Sequence, residues 1–247
     1  MTQPNFLTTP QGRRIAYHLT EGDGPCVVFL GGLKSDMEGT KALHLEAWAK
    51  ASGRRFLRFD YSGHGQSSGR FEDGAIGDWA EDSFEAIHAL TSGPIIPVGS
   101  SMGGWQALLL ARRIPERIAG LVTIAAAPDF TEDGYWAQFT PAQKKALDEH
   151  GFVELPSDYM EPYIVTRRMI EDGRRHLILR SPLALPFPVR LLQGTSDTAV
   201  SSQTALRLLG HATSPDMRLL LVKDADHRFS DGPCLGLIEA AVKEVSP

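Results

Sequence analysis

Cysteine is scarce in this chain. Only Cys26 and Cys234 occur among 247 residues. Two cysteines so far apart supply no disulfide framework, and each reads as a small buried apolar group. A reducing compartment follows from that usage, with the cytoplasm as the expectation. An excess of basic residues is also absent. Lys and Arg number 25 against 30 Asp and Glu, a net charge of −5, which excludes the broad positive surface that nucleic acid requires. No apolar run approaches the roughly 20 residues of a membrane helix. Residues 1–20 alternate polar and apolar positions and lack a signal-peptide core. No cluster has metal-ligand spacing, because Asp226-His227 alone is too small a donor set. Residues 59–67, Phe-Asp-Tyr-Ser-Gly-His-Gly-Gln-Ser, lack the Gly-Lys-Ser/Thr ending of a phosphate loop and a helix directly after it. What is present is 42% hydrophobic and 22% charged, suited to one large α/β domain spanning 1–247.

The order of elements sharpens that class. Residues 5–9 and 13–20 read as an antiparallel hairpin around Pro10-Gln11-Gly12. From Cys26 the rhythm becomes strand and helix in alternation. Cys26-Val27-Val28-Phe29-Leu30 is a continuous apolar run, as in a parallel strand covered on both faces. A helix over 40–51 and a strand over 55–59 follow. Over 74–90, Ile76, Trp79, Ala80, Phe84, Ile87 and Leu90 share one helical face. Asp78, Glu81, Asp82, Glu85 and His88 fall on the other, which makes His88 a surface residue. Strands are expected over 94–98, 118–124, 188–192 and 217–222, with helices over 105–113, 201–209 and 234–245. Between 129 and 185 the alternation breaks. That stretch predicts helices over 141–149 and 163–179 and no strand, so it reads as a helical cap inserted in a mostly parallel, doubly wound sheet.

In such sheets functional groups gather at the carboxyl ends of strands, and four ends here carry unusual sequence. Val98-Gly99-Ser100-Ser101-Met102-Gly103-Gly104-Trp105 places Gly-x-Ser-x-Gly between a strand and a helix. This pattern lifts a serine hydroxyl above the sheet on a strained turn, so Ser101 is the candidate nucleophile. Asp197 follows the strand ending Gln193-Gly194, and His227 follows the penultimate strand in Asp224-Ala225-Asp226-His227. Serine needs an imidazole to take its proton, and the imidazole needs a carboxylate to hold one tautomer. The chain order Ser, Asp, His is that of α/β-hydrolases. Asp129, after the strand ending near Ala125, competes with Asp197 for the acid; Asp224 and Asp226 are weaker rivals. Leu30-Gly31-Gly32-Leu33-Lys34-Ser35 is the fourth end. There the backbone N–H groups of Leu33 and Met102 form the candidate oxyanion hole. His64 reads as structural or near the pocket rim.

A narrower match rests on Ser35-Asp36-Met37-Glu38-Gly39-Thr40-Lys41-Ala42, Arg58-Phe59-Asp60-Tyr61-Ser62-Gly63, residues 98–105, residues 188–194 and Asp226-His227-Arg228. Together these resemble the α/β-hydrolase-domain-containing protein 10 family, a palmitoyl-protein thioesterase and acyl-glucuronide esterase group. The resemblance covers roughly residues 25–245 and is weakest across 129–185. It implies Ser101 as nucleophile, Asp197 as acid and His227 as base. The substrate expected is a small-molecule or protein-linked acyl ester or thioester, cleaved without a cofactor. Within the cap, Trp136, Phe139, Tyr159 and Tyr163 are candidate substrate-binding residues, since aromatic side chains there can shelter an acyl chain. Rival readings are a short-chain carboxylesterase, a carbon–carbon bond hydrolase, and a ligand receptor with little turnover on the same fold.

Overall fold

The computed structural model describes residues 3–155 and 163–247. The chain runs through β1 (Asn5–Thr8), β2 (Arg14–Thr20), β3 (Asp23–Leu30), α1 (Thr40–Ala51), β4 (Arg54–Phe59), α2 (Ile76–Leu90), β5 (Ile95–Ser100), α3 (Met102–Arg113) and β6 (Leu121–Ile124). A single π-turn over Thr131–Trp136 leads to α4 (Pro141–His150), β7 (Phe152–Leu155), β8 (Tyr163–Thr166) and α5 (Arg167–Arg175). Then come β9 (Leu183–Ala184), β10 (Val189–Gly194), α6 (Ser202–His211), β11 (Ala212–Thr213), β12 (Met217–Val222) and α7 (Gly232–Glu244).

Eight strands form the central sheet in the order β1-β2-β4-β3-β5-β6-β10-β12. β1 and β2 pair antiparallel, as do β2 and β4, and all other neighbours run parallel. The expected α/β-hydrolase sheet with its antiparallel hairpin is what forms. Both faces of the inner parallel strands β3, β5, β6 and β10 are covered, which accounts for their apolar sequence, whereas the edge strand β12 stays partly exposed. In β3, Val28 and Leu30 join one core cluster with Trp79, Trp105 and Leu108, while Val27 and Phe29 join a second with Leu45, Ile238 and Val242. Successive side chains of a strand point to opposite faces. The hydrophobic run therefore holds α2 and α3 on one side and α1 and α7 on the other.

β3 is flanked by β4 and β5, because the chain winds out to β4 and then returns across β3. Strand order reverses there, and a crevice opens beyond the carboxyl ends of β3 and β5. Leu33 and Ser101 both leave from those ends.

Two expectations are corrected. Asp82 is not on the solvent face of α2: its side chain is fully buried and accepts from Arg13 Nε and from Ser62 N and Oγ. A buried carboxylate is tolerated because these donors replace its water. The segment between β6 and β10 also contains strands. β7 and β8 pair antiparallel, Phe152 facing Thr166 and Val153 facing Val165. Tyr163-Ile164-Val165-Thr166 is aromatic and β-branched, a composition that fits a pleated surface better than a helix. The helix begins only after Thr166, whose hydroxyl accepts from Met169 N at 3.1 Å and caps α5.

Candidate active site

Ser101 occupies the turn between β5 and α3 with φ 55° and ψ −119°. A non-glycine residue in that region is strained, and the surrounding packing must hold it there. The flanking glycines show how. A Cβ on Gly99 would lie 2.2 Å from Gly103 O, and one on Gly103 would lie 2.0 Å from Leu30 O. No side chain fits at either place, so the sharp turn is available only to this pattern. Ser101 N donates to Ile124 O and its own carbonyl accepts from Ala127 N, which fastens the turn to β6 and the loop after it.

His227 reaches this serine from the loop after β12. Its Nε2 lies 3.1 Å from Ser101 Oγ, and its Nδ1 lies 2.8 Å from Asp197 Oδ2. An ionised carboxylate only accepts, so Nδ1 carries the proton and Nε2 is left to accept from the hydroxyl. The loop is tied by Asp226, whose Oδ1 accepts from Phe229 N at 3.1 Å.

Asp197 has a fully buried side chain. Its Oδ1 accepts from Ala199 N and Val200 N at 2.9 and 2.8 Å. Its Oδ2 accepts from His227 and from Gln193 Nε2, the latter at 3.0 Å. Burial pushes this carboxyl up, but the bonds from His227, Val200 and Gln193 together with the imidazole's charge hold it below its usual value. It is thus kept ionised.

Gln193 escaped the sequence reading. It lies within β10, fully buried, where an apolar residue is the ordinary occupant. Its amide nitrogen has three acceptors, Gly194 O, Asp197 Oδ2 and Val200 O, within 3.2 Å. Those acceptors fix which way the amide points, because an oxygen in that place would face three others. No sequence pattern marks a glutamine four residues before an acid as its support.

The competitor Asp129 is turned to another task. It is fully buried, and it accepts from Ile178 N, Leu179 N and Arg180 Nη1 at 2.8, 3.0 and 2.7 Å. These bonds secure the far end of the segment that begins at residue 130. His64 is likewise structural. It packs edge-on to Tyr61, Phe71 and Trp79, with centroids 5.1–5.5 Å apart, and burial pushes its pKa down to about 4.

A cavity of about 890 Å³ opens over the serine, with Leu33, Ser101, Met102 and His227 in its wall. Met102 is the first residue of α3, so its N–H has no carbonyl one turn back and stands at the positive end of the helix. Phe130, Tyr135, Leu155 and Tyr163 supply apolar wall. Of the four aromatic residues expected to contact substrate, Tyr163 therefore faces the cavity. Trp136 and Phe139 do not line it. Trp136 lies between Lys144 Nζ and Arg174, 4.8 and 4.5 Å from its ring, and Phe139 is buried beneath Tyr135. Tyr159 lies outside the described residues. Among the described residues no group of three or more His, Cys, Asp or Glu could hold a metal ion, and no helix is long and apolar enough to cross a membrane.

A strained serine elbow on a doubly wound sheet, with acid and imidazole from later strand ends, defines a class, and comparison with known proteins agrees. The family profile described as "Alpha/beta hydrolase family" matches residues 27–240, and the chain belongs to that family. Within it, one relative is palmitoyl-protein thioesterase ABHD10, mitochondrial, of Homo sapiens. It is 35% identical over 246 residues covering 99% of this chain and 80% of that one. The mouse α/β hydrolase domain-containing protein 10 structure superposes with a TM-score of 0.91 at 32% identity, covering 99% of this chain and 98% of the other. A crystal structure from Agrobacterium vitis S4 reaches 0.95 at 37% identity over 99% of both chains.

Proposed function

We propose that the protein is a serine hydrolase cleaving acyl thioesters or esters through an acyl-serine intermediate. The hydrogen-bonded line from Asp197 through His227 to Ser101, ending in a cavity, carries this reading. Ser101 Oγ attacks the acyl carbon while His227 Nε2 takes its proton. The bond to sulfur or oxygen then breaks, and the departing atom receives that proton from Nε2. Water follows the same route in reverse, giving its proton to His227 and its oxygen to the acyl carbon, and Ser101 is regenerated. The backbone N–H groups of Leu33 and Met102 are the donors we assign to the transient oxyanion, each worth about 3 kcal/mol of barrier.

Long-chain thioesters are the substrates this reading favours. Relatives 34–35% identical to this chain are named palmitoyl-protein thioesterases, and the segment 129–185 acts as a cap whose Phe130, Tyr135, Leu155 and Tyr163 offer apolar wall. Each buried methylene adds about 0.8 kcal/mol, so kcat/KM rises with acyl length until the wall is filled. A flat series removes the cap from substrate recognition. The cytoplasm remains the compartment of this reading, and fractionation of tagged protein checks it against the mitochondrial location in the relatives' names.

Ser101→Ala is the decisive variant. It should lose about 10⁴-fold or more in kcat, and covalent labelling by a fluorophosphonate should vanish with it. Near-wild-type turnover in that variant would rule out the mechanism. A wild-type protein that neither turns over esters nor accepts the label would instead be a receptor on this fold.

A further inference from the structure

Gly32 has no backbone need to be glycine. Its φ lies outside the left-handed region, and a Cβ built on it would meet Ser101 Cβ and Ser35 Oγ at 3.4 Å and Ser100 O at 3.5 Å. Those separations are ordinary van der Waals contact, whereas a Cβ on Gly99 or Gly103 would strike backbone at 2.2 or 2.0 Å. An alanine therefore fits at 32, and its absence leaves a methyl-sized space. That space opens into the cavity, because Gly32, Ser35, Ser100 and Ser101 all lie in the wall. It borders the side chain of Ser101 and also a second hydroxyl, that of Ser35.

The second hydroxyl sits on a loop that is held in place. After β3 the chain makes a four-residue turn, closed by Ser35 N donating to Gly32 O at 3.1 Å, with Lys34 third at φ 56°. Such a turn uses the N–H of its fourth residue, so that of Leu33, its second, stays outside the closing bond. Both ends of the loop are tied to residues at the end of β4. Tyr61 Oη donates to Gly31 O at 3.2 Å. Met37 N donates to Asp60 Oδ1 at 2.6 Å, and Met37 O accepts from Arg58 Nη1 at 3.0 Å. Arg58, Asp60 and Tyr61 are all buried, where hydrogen bonds are strong. Ser35 itself is exposed, and its hydroxyl can turn its proton toward an incoming acceptor.

We propose that Ser35 Oγ is a third donor to the substrate oxygen that turns negative, beside Leu33 N and Met102 N, and that this oxygen occupies the space Gly32 leaves. This rests on the acyl-transfer reading above and adds one catalytic side chain to it. As Ser101 Oγ bonds to the acyl carbon, the π pair of C=O moves onto its oxygen. The Ser35 O–H donates to that oxygen while keeping its proton. As the thiol or alcohol leaves, the pair returns to the carbonyl and the hydrogen bond weakens. A donor of this sort binds the transition state more tightly than the substrate, so it acts on kcat rather than KM. The two N–H groups belong to the backbone and survive any substitution but proline. Ser35 Oγ is the member of the set that a side-chain change removes.

The test measures kcat and KM on one acyl thioester for wild type, Ser35→Ala, Ser35→Thr and Gly32→Ala. Sites are counted by fluorophosphonate labelling run to completion. Ser35→Ala should lose about 10²-fold in kcat with KM nearly unchanged. Binding of a trifluoromethyl ketone, which forms a hemiketal oxyanion on Ser101, should weaken by the same factor, and binding of the free acid product should not. Ser35→Thr keeps the hydroxyl and should recover most of the rate. Gly32→Ala should melt within a few degrees of wild type and still lose about tenfold or more in kcat, because its methyl displaces the oxygen. A merely structural serine would change the number of labelled sites and leave kcat per site and ketone binding where they were. A kcat for Ser35→Ala within about threefold of wild type, or a raised KM at full kcat, overturns the inference and leaves the hydrolase standing. A Gly32→Ala protein that folds with full kcat, or that does not fold, overturns the placement of the oxygen, and the Ser35 variants then judge the donor alone. Wild type that neither turns over the thioester nor takes the label overturns the hydrolase reading itself.

Discussion

Asp129 and Asp197 invite comparison because their local sequences are nearly interchangeable. Each follows a buried parallel strand, β6 or β10, at the edge of the same crevice. Both carboxylates are fully buried and both are saturated with hydrogen bonds. Their partners separate them. Asp197 spends one oxygen on Ala199 and Val200 and turns the other to His227 and Gln193. Asp129 gives everything to residues 178–180. One strand end holds an imidazole beside Ser101, and the other holds the chain in place. A buried acid at a strand end therefore does not identify a catalytic residue; the group its free oxygen faces does.

The sharpest way to break this comparison is to remove each charge while keeping its shape. Asp197→Asn should lower kcat by about 10³- to 10⁴-fold with little change in folding, because the amide favours the wrong imidazole tautomer. Asp129→Asn should instead destabilise the fold by about 2 kcal/mol, because one of the two oxygens becomes an NH2 that leaves either Ile178 N or both Leu179 N and Arg180 short of an acceptor. The Arg180 side chain is 38% exposed, so solvent screens its part of that loss. The folded fraction of Asp129→Asn should turn over within a few-fold of wild type. Denaturant melts and active-site titration separate the two effects, and a swap of phenotypes would reverse the assignment of the acid.

β4 extends the comparison to histidines. His227 follows β12 and meets Ser101, whereas His64 follows β4 and is caged by three aromatic rings. Burial depresses the His64 pKa from 6.5 to about 4, so the unfolded chain binds the proton more readily. Its contribution is fully present above pH 6.5 and is lost as pH falls toward 4, up to about 3 kcal/mol. Asp60, in the same loop, works in the opposite direction. Burial raises it to about 6, outweighing bonds from Gln66 and Met37, so its charged form destabilises the fold at neutral pH and acid relieves that. His64→Phe isolates the histidine, since Ser62 O keeps its bond from Trp79 Nε1. The difference between the two proteins' stability–pH curves should flatten the wild-type loss between pH 6.5 and 4. Parallel curves would mean that His64 is hydrated and free to titrate.

The candidate serine and histidine that the structure brings together were readable because chemistry and topology constrain them together. A serine between two glycines that admit no Cβ and a histidine after the penultimate strand can be placed from strand ends alone, whereas the acid was narrowed only to Asp197 or Asp129. The eight-stranded sheet was readable for a similar reason, since unbroken apolar runs such as 26–30 need cover on both faces. Where reading failed, packing between distant segments decided. Asp82 lies three residues after Trp79 and four before Ala86, at the boundary of the buried face, and Arg13 and Ser62 draw it inward. β7 and β8 are four residues each, too short for a period to declare itself. Trp136 is aromatic and lies between β6 and β10, yet Lys144 and Arg174 cover it from outside. Asp129 could be separated from Asp197 only by knowing where residues 178–180 return.

Gln193 sharpens the contrast most finely, because it supports the proposed acid, Asp197, without contacting Ser101. Its amide supplies one of the two donors on Asp197 Oδ2, in competition with His227. In Gln193→Leu that oxygen becomes a stronger acceptor for the imidazolium, while the acid itself loses part of its fixed orientation. A fall of about tenfold in kcat with KM unchanged is expected, the size of one misdirected hydrogen bond. The acid limb of the kcat/KM profile should also move to higher pH, since the protonated imidazole is held more firmly. Gln193→Glu adds a second signature. Protonated, the new carboxyl can still donate to Asp197; ionised, it faces a like charge, so activity should drop as pH rises within the range where wild type is flat. A purely structural glutamine would lower the folded fraction in both variants and leave the shape of both profiles where it was.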